Sequence, residues 1–266
     1  MIDVLGDRLK KLERNACLDP FPVHQPVYAR LDGRGFSKFT KDMDRPFDPR
    51  MTRAMQRTAE VLVEKTHARA AYTQSDEISL VWQVADENSE LLFGGKPSKL
   101  TSVLAGLATS AFCNALLNDE NGLSSWLDRL PHFDARVLSC SDRETAADFF
   151  RWRGQDARRN AIQMIAQSKF SHRQLHKKSI ADQIEMLEGL CVNIDSYPEE
   201  SLNGTLITRQ KCLRTLTQDE RLAIPAAHRP EPDHKIMRGT TLWRTDLPPQ
   251  RDEHLEDTIF RDPEKG

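Results

Sequence analysis

Apolar and polar residues alternate along residues 27–36 (VYARLDGRGF), and the alternation stops at Asp32-Gly33. Residues 72–82 (YTQSDEISLVW) form a second strand-like run, broken in its middle by the polar quartet at 74–77. Residues 133–140 (FDARVLSC) form a third. Short runs rich in β-branched and aromatic residues, bounded by turn residues, are typical of strands. The pattern therefore predicts strands, with a tight turn inside the second run.

Helical periodicity fills the stretches between and after these strands. Asp48-Pro49 places a capping side chain directly before a proline at the first helical position. Ser141 begins an S-D-R-E sequence that is typical of a capping box. Apolar residues at helical spacing predict helices over residues 3–15, 49–67, 97–118 and 141–167.

The element order over residues 27–140 is β-α-β-β-α-β. This order predicts an α/β fold of the ferredoxin-like, split-βαβ type, with helices on one face of an antiparallel sheet. We expect residues 1–26 to form an N-terminal helix and connector, and residues 27–167 to form the main domain. The pattern weakens from residue 168 to 266, with a helix near 184–190 and a strand near 202–208. A helical and irregular C-terminal extension is therefore expected there.

Composition narrows the class of protein. Of the 266 residues, 38% are hydrophobic and 29% are charged, which is typical of a soluble globular chain. We expect no apolar run of membrane-spanning length. The five cysteines are scattered without a CxxC pair, which argues against a disulfide framework or a structural zinc site. These features predict a cytoplasmic protein.

The net charge of −2 does not indicate nucleic-acid binding by itself. Local charge is more informative, because five arginines fall within seventeen residues. Such a basic strip suits phosphate groups, and a solvated helix face is the alternative interpretation. The strip consists of Arg143, Arg151, Arg153, Arg158 and Arg159.

Two carboxylates stand out at the ends of predicted strands. Asp32 ends the first strand and Asp76 lies in the turn of the second run. Each sequence alone is that of an ordinary turn, but the predicted topology makes their strands neighbours. A carboxylate pair suits Mg²⁺, because substrate phosphates supply its remaining ligands. Arg30, two residues before Asp32, shares the same face of its strand.

Several motifs in a fixed order carry a resemblance to a known family. RLDGRGF, PFD, YTQSDEIS, KPSKL, FDARV and FRWRGQD follow one another between residues 30 and 156. Over residues 24–165 the chain resembles the tRNA-His guanylyltransferase family and its relatives, which are reverse, 3′-to-5′ nucleotide polymerases. The resemblance implies a polymerase-like palm domain, two Mg²⁺ ions, ATP and GTP as substrates, a tRNA partner and a tetramer.

The resemblance also implies roles for individual residues. Asp32, the Gly33 carbonyl and Asp76 match the metal ligands, and Glu77 joins the two aspartates in the catalytic motif. The positions matching nucleotide contacts are Arg30, Gly33, Arg34, Gly35, Phe36, Ser75, Lys96, Ser98 and Lys99. The positions expected to contact RNA or the activating nucleotide are Arg153, Arg158, Arg159 and Asn160.

One motif departs from the family pattern. Eukaryotic members have a histidine where this chain has Arg158, although Asn160 is kept. The departure favours template-dependent repair of truncated tRNA 5′ ends. Three alternatives remain open at this stage: non-templated guanylate addition to tRNA-His, a nucleotide cyclase on the same fold, and a non-catalytic RNA-binding protein. Trp152 is expected to pack in the core.

Overall fold

A computed structural model of the chain describes Leu9 and residues 18–84, 89–118 and 122–261. The helix predicted at residues 3–15 lies outside the described residues, apart from Leu9. Within the described ranges the chain forms a mixed α/β structure around one antiparallel sheet.

The sheet has six strands in the described residues, ordered β4-β1-β3-β2-β5-β6. All neighbouring strands pair antiparallel. The strands are β1 (Val27–Gly33), β2 (Ala70–Gln74), β3 (Glu77–Trp82), β4 (Phe133–Ser139), β5 (Thr205–Thr215) and β6 (Lys235–Arg244). The first four confirm the strands predicted from the alternation.

The helices of the first part of the chain are α1 (Phe36–Phe39), α2 (Pro49–Thr66), α3 (Pro97–Leu117) and α4 (Arg143–Lys169). Those that follow are α5 (His172–Leu175), α6 (Ile180–Glu188), α7 (Glu199–Asn203), α8 (Gln218–Ala223) and α9 (Leu255–Phe260). Short 3₁₀ turns lie at Leu92–Gly95, Leu123–Arg129, Ile194–Ser196, Ala226–His228 and Pro249–Arg251.

Helix caps mostly follow the sequence signals. The Asp48 side chain accepts a hydrogen bond from the backbone N–H of Arg50, and Pro49 is the first residue of α2, as predicted. The cap of α4 differs by one residue from the prediction. Asp142, rather than Ser141, accepts from the backbone N–H of Thr145, because it lies three residues before that amide.

The central strands of the sheet are covered on both faces. Helices α2 and α3 pack against alternate strand residues such as Ala29, Leu31 and Leu80, which confirms that the two helices within 27–140 share one face. Helix α4 and α9 cover the opposite face, where Phe150 and Leu255 pack with Tyr28. A third, smaller cluster holds the second half of α4 against α6 and α7.

The C-terminal region is more regular than the expected helical and irregular extension. Helix α6 and strand β5 occur close to the predicted helix and strand, but β5 continues to Thr215 and pairs along its length with β6. The two strands attach to β2 through Thr205–Thr208 and so continue the same sheet. Sequence analysis missed β6 because prolines on both sides obscured its short alternating pattern.

Helix α3 corrects the expectation about apolar runs. Its 21 residues are long and apolar enough to span a membrane by length and composition. It nevertheless packs along one side on the sheet, where Leu100, Leu104, Ala108, Phe112 and Leu116 are buried. A core helix of a soluble protein meets the same criterion, so the feature alone does not place the chain in a membrane.

Candidate active site

The structure brings Asp32 and Asp76 together at one end of the sheet, which we call the catalytic end. Asp32 is the penultimate residue of β1, and Asp76 lies in the two-residue turn between β2 and β3. The backbone N–H of Gly33 donates to the Asp76 carbonyl at 2.9 Å, which fixes the turn against β1. Burial raises the pKa of Asp76, and the negative charge of Asp32 raises it further. The two carboxylates are therefore close enough to repel each other.

The two carboxylates suit a cation whose remaining coordination positions are filled by ligands from outside the protein. Among the described residues, no group of three or more His, Cys, Asp or Glu side chains could hold a metal ion. Two half-buried carboxylates beside the Gly33 backbone supply oxygen ligands and an unrelieved negative charge. Mg²⁺ is bound in this way when substrate phosphates and water complete its octahedral shell.

Glycine is required at position 33 by its neighbour within the chain. A Cβ there would lie 2.5 Å from the Phe36 ring, which is only 3% exposed and packs near Phe112 and Phe133. Phe36 therefore closes the core beneath the carboxylates, and it also lines the cavity described below. The need for glycine can be explained by this ring, without invoking a close approach by a ligand.

Glu77 and Arg153 occupy places that differ from the predictions. Arg153, on α4, donates to both carboxylate oxygens of Glu77, at 2.5 and 2.8 Å. It also donates to Asp156. Burial raises the pKa of Glu77, while the Arg153 charge opposes that shift.

These contacts correct two assignments. Glu77 is held in a buried ion pair with Arg153 rather than exposed beside the two aspartates. Arg153 is 7% exposed and cannot reach an RNA without breaking this pair. Arg30 is 3.9 Å from Glu77 and partly exposed, and it lies on the Asp32 face as expected.

Lys96, Ser98 and Lys99 are not brought to the carboxylates within one chain. They begin α3, whose later residue Thr109 accepts a hydrogen bond from the backbone N–H of Phe133, the strand partner of Gly33 at the catalytic end. The start of α3 therefore lies toward the other end of the sheet, where Val27 pairs with Trp82. The Gly95 carbonyl accepts from Phe21 N–H at 2.9 Å, which fixes this segment beside the approach to β1. Five strand residues, roughly 17 Å, separate the two ends of the sheet. Within one chain these three residues therefore do not share a site with Asp32 and Asp76, because only the second half of α3 reaches the catalytic end.

The remaining residues predicted to contact nucleotide or RNA differ in how exposed their side chains are. Arg34, Gly35 and Ser75 are exposed, and Gly35 takes a φ of 69° where the chain turns into α1. Arg158 pairs with Asp195 at 2.7 Å, and Arg159 pairs with Asp156. Asn160 faces the cavity described below.

The basic strip predicted at residues 143–159 is dispersed around α4. Arg143 donates to Gln83 at the far end of the sheet, and Arg151 pairs with Asp148. The strip therefore does not form a single phosphate-binding face. Trp152 is 48% exposed, so the expectation that it packs in the core is wrong.

A cavity of about 300 Å³ opens beside the carboxylates, and sequence analysis gave no sign of it. It lies between the β2–β3 turn, the loop before α2, the middle of α4 and the start of α7. Apolar walls alternate with polar groups, a composition typical of small-molecule sites. The lining includes Asp44, Phe47, Met51, Gln74, Asn160 and Met164, together with Asp76 itself.

Comparison with known proteins identifies a family. The family model described as tRNAHis guanylyltransferase matches residues 6–141. This match covers strands β1 to β4 and helices α1 to α3 of the described residues.

Individual relatives extend the match. The chain is 30% identical over 207 residues to an uncharacterised protein of Acanthamoeba polyphaga mimivirus, covering 69% of each chain. It is 35% identical over 157 residues to the tRNA(His) guanylyltransferase of Schizosaccharomyces pombe, covering 58% of this chain and 56% of that protein. A solved bacterial tRNA(His) guanylyltransferase-like protein in complex with ATP superposes with a TM-score of 0.76 at 26% identity, covering 96% of this chain and 99% of that one.

Proposed function

Because the chain belongs to the tRNAHis guanylyltransferase family, we propose that it is a nucleotidyltransferase that adds nucleotides to the 5′ end of a tRNA in the 3′-to-5′ direction. The observation that carries the proposal is the position of Asp32 and Asp76 beside the 300 Å³ cavity. A carboxylate pair next to a partly apolar cavity suits a nucleoside triphosphate, with its base and ribose in the cavity and its phosphates at the carboxylates.

The reaction has two displacements at phosphorus. In the first, an oxygen of the tRNA 5′-monophosphate attacks the α-phosphorus of ATP or GTP, and pyrophosphate leaves. In the second, the 3′-hydroxyl of the incoming nucleotide attacks the activated 5′-phosphorus. The hydroxyl loses its proton and the activating nucleoside monophosphate leaves. Both steps place charge on phosphate oxygens near Asp32 and Asp76.

The residues present fit Mg²⁺, which Asp32, Asp76 and the Gly33 carbonyl would hold. Bound Mg²⁺ would neutralise the charge on the phosphate oxygens and help to orient them. Arg30, on the same face as Asp32, supplies a fixed cation to the phosphates. Asn160 and Gln74 offer amide groups to the part of the nucleotide inside the cavity.

Further proposals concern the fold of the main domain, the cellular location of the protein and its oligomeric state. The strand order β4-β1-β3-β2, with α2 and α3 on one face, supports a ferredoxin-like palm over residues 27–167. We further propose a cytoplasmic location, which the scattered cysteines support, and a homotetramer, which rests on the family resemblance.

We also propose that addition is template-dependent. By the family resemblance, Arg158 stands where eukaryotic members have a histidine, and its side chain pairs with Asp195 on the side of α4 that faces α6. An arginine at this place favours contact with phosphate rather than selection of one base. The opposing tRNA strand would then select the nucleotide by base pairing.

The test is a nucleotide-addition assay with full-length and 5′-truncated tRNAs, each labelled nucleotide in turn, and added Mg²⁺. The proposal expects tRNA products extended at the 5′ end by the wild-type protein, and on the order of 10²-fold less product or lower by Asp76→Asn. Cyclic nucleotide formed without RNA would instead show a cyclase. Tight RNA binding without any product would show a non-catalytic protein.

A further inference from the structure

One aromatic side chain differs from all the others in its exposure. Among the Phe, Tyr and Trp residues in the described part of the chain, only Trp152 is exposed, at 48%. The neighbouring Phe150 is fully buried on the sheet face that α4 covers. Tryptophan is enriched at binding surfaces because its large ring supplies much contact area. The groups beside the ring indicate which ligand it fits.

The contacts of the Trp152 ring place it at the catalytic end. The guanidinium of Arg153 lies 4.7 Å from the centre of the ring. The same guanidinium binds Glu77, which is the partner of Asp32 in the pairing of β1 with β3. One buried cation therefore connects the exposed ring to the strand position of a catalytic carboxylate.

The ring lies on the side of α4 that faces away from the cavity. Ala161, which lines the cavity, comes about two and a half turns after Trp152 and so projects from the opposite side of the helix. Phe149, 6.5 Å from the Trp152 ring, stacks on Tyr28, whose partner in the edge strand β4 is Leu138. The carboxylates can therefore be approached from the cavity on one side of α4, and from Trp152 and β4 on the other.

Two cations lie along this second approach. Arg30 and Arg136 are direct partners in the pairing of β1 with β4, on the sheet face that carries Asp32. The Arg136 side chain is 62% exposed and lies 4.0 Å from Asp134, at the limit of an ion pair. Guanidinium groups bind phosphate well, and an exposed aromatic ring stacks on bases. Together they fit a nucleotide of a single RNA strand.

We propose that the Trp152 ring stacks on the 5′-terminal base of the RNA substrate, while Arg136 binds the phosphate that follows it. This inference rests on the proposed function, because it takes the 5′-phosphate of the RNA to lie at Asp32 and Asp76. The base of that nucleotide must then lie beside the carboxylates but outside the cavity, which the nucleoside triphosphate occupies. Stacking would hold the RNA end without reading its sequence, since every base has a flat face.

Binding of the full chain to a 5′-phosphorylated RNA hairpin tests the stacking. A second hairpin, abasic at its first nucleotide, carries the same phosphates without the terminal base. We expect Trp152→Ala to raise the Kd for the intact hairpin about tenfold and to leave the Kd for the abasic hairpin unchanged. Trp152→Phe should keep most of the affinity for the intact hairpin. Leu190→Ala, at a residue 52% exposed beyond the end of α6, is the matched control and should change neither Kd.

Tryptophan fluorescence gives a second readout, which also serves if Trp152→Ala does not fold. The other three tryptophans are buried or half-buried. The intact hairpin should therefore quench the fluorescence of the wild type more than that of Trp152→Phe. Equal quenching in the two proteins would overturn the proposal.

The binding data can contradict the proposal in two further ways. Equal affinity of the wild type and Trp152→Ala for the intact hairpin would exclude stacking. An equal loss of affinity for both hairpins would show that Trp152 acts on the fold through Arg153. If the wild type extends tRNA, either result overturns the stacking alone. A wild type that binds neither hairpin and makes no product would overturn the proposed function as well.

Discussion

Arg153 on α4 binds both carboxylate oxygens of Glu77, the first residue of β3, across a separation of 76 residues in sequence. Glu77 directly follows Asp76, while Asn160 lies two helical turns after Arg153. The two side chains therefore hold two opposite walls of the cavity at a fixed spacing. This ion pair connects the position of the catalytic turn to the position of α4.

Replacing Arg153 should destabilise the protein because Glu77 would be left buried and unpaired. We expect Arg153→Met to lose about 3–5 kcal/mol of unfolding free energy, and Arg153→Lys to lose less because a cation remains. Urea unfolding measures both. The exposed pair Arg151–Asp148 provides the control, and Arg151→Met should cost no more than about 1 kcal/mol. Equal losses for the two methionine variants would show that the buried pair has no special role.

The same variant should show a particular dependence on pH. Burial raises the pKa of Glu77 above its ordinary value, and Arg153 limits that rise. Without Arg153 the folded protein would retain a proton that the unfolded chain releases, so stability falls as pH rises through the folded pKa. The deficit of Arg153→Met relative to wild type should therefore be larger at pH 8 than at pH 4.5. A deficit that does not change with pH would place the cause elsewhere.

Asp32→Asn and Asp76→Asn should each reduce nucleotide addition by on the order of 10²-fold or more, since each removes a candidate metal ligand. In metal-free protein Asp32→Asn should raise the thermal midpoint at neutral pH. The Asp32 charge raises the pKa of Asp76, and stability is lost as pH rises through that raised pKa. The gain should therefore disappear at about pH 3, below the ordinary pKa of an aspartate. Near-normal turnover by either variant would remove that residue from the mechanism.

Filling the cavity should weaken nucleotide binding without touching the carboxylates. Ser201 lines the cavity from α7 and is partly exposed. Ser201→Trp would occupy a large part of its 300 Å³. We expect a rise of about tenfold or more in the dissociation constant for ATP, equivalent to at least 1.4 kcal/mol. Ser201→Ala is the matched control, and equal ATP affinity in the two variants would place the nucleotide elsewhere.

Template dependence can be tested by changing one base of the tRNA. If base pairing selects the nucleotide, the added residue should change with the opposing base, and its identity can be read by sequencing the product. Guanylate added opposite every base would establish the non-templated reaction instead.

RNA binding should also weaken as salt rises, because contacts to phosphate dominate such affinity. Salt-independent binding would argue against the role of Arg158 and Arg159.

Much of the first 140 residues could be predicted because their signals are local. Alternation, caps and turn residues define β1 to β4, α2 and α3, and they place Asp32 and Asp76 at neighbouring strand ends. The partners of Glu77 and Arg158 could not be predicted, since each pair joins residues far apart in sequence. The cavity could not be predicted either, because its walls come from several separate segments.

The way helices pack also explains two differences between the predicted and observed positions of side chains. The KPSKL motif predicts nucleotide contacts for Lys96 and Lys99, whereas the packing of α3 on the sheet sets its first turn toward the end opposite Asp32 and Asp76. Trp152 lies beside the buried Arg153 on the same helix, and its own side chain turns outward. A motif shows which residue types are present. The direction of a strand and the rotation of a helix about its axis determine which other residues their side chains contact.

The C-terminal helix α9 has a consequence for biosynthesis. Leu255, Ile259 and Phe260 are 5% exposed or less and cover the sheet face that contains Tyr28. A ribosome adds about 5–20 residues per second, so Tyr28 is made roughly 10–50 s before the helix that shields it. Throughout that interval the apolar face of the nascent sheet lacks its final cover. The newly made chain therefore exposes this apolar face to other molecules until residues 255–260 have left the ribosome.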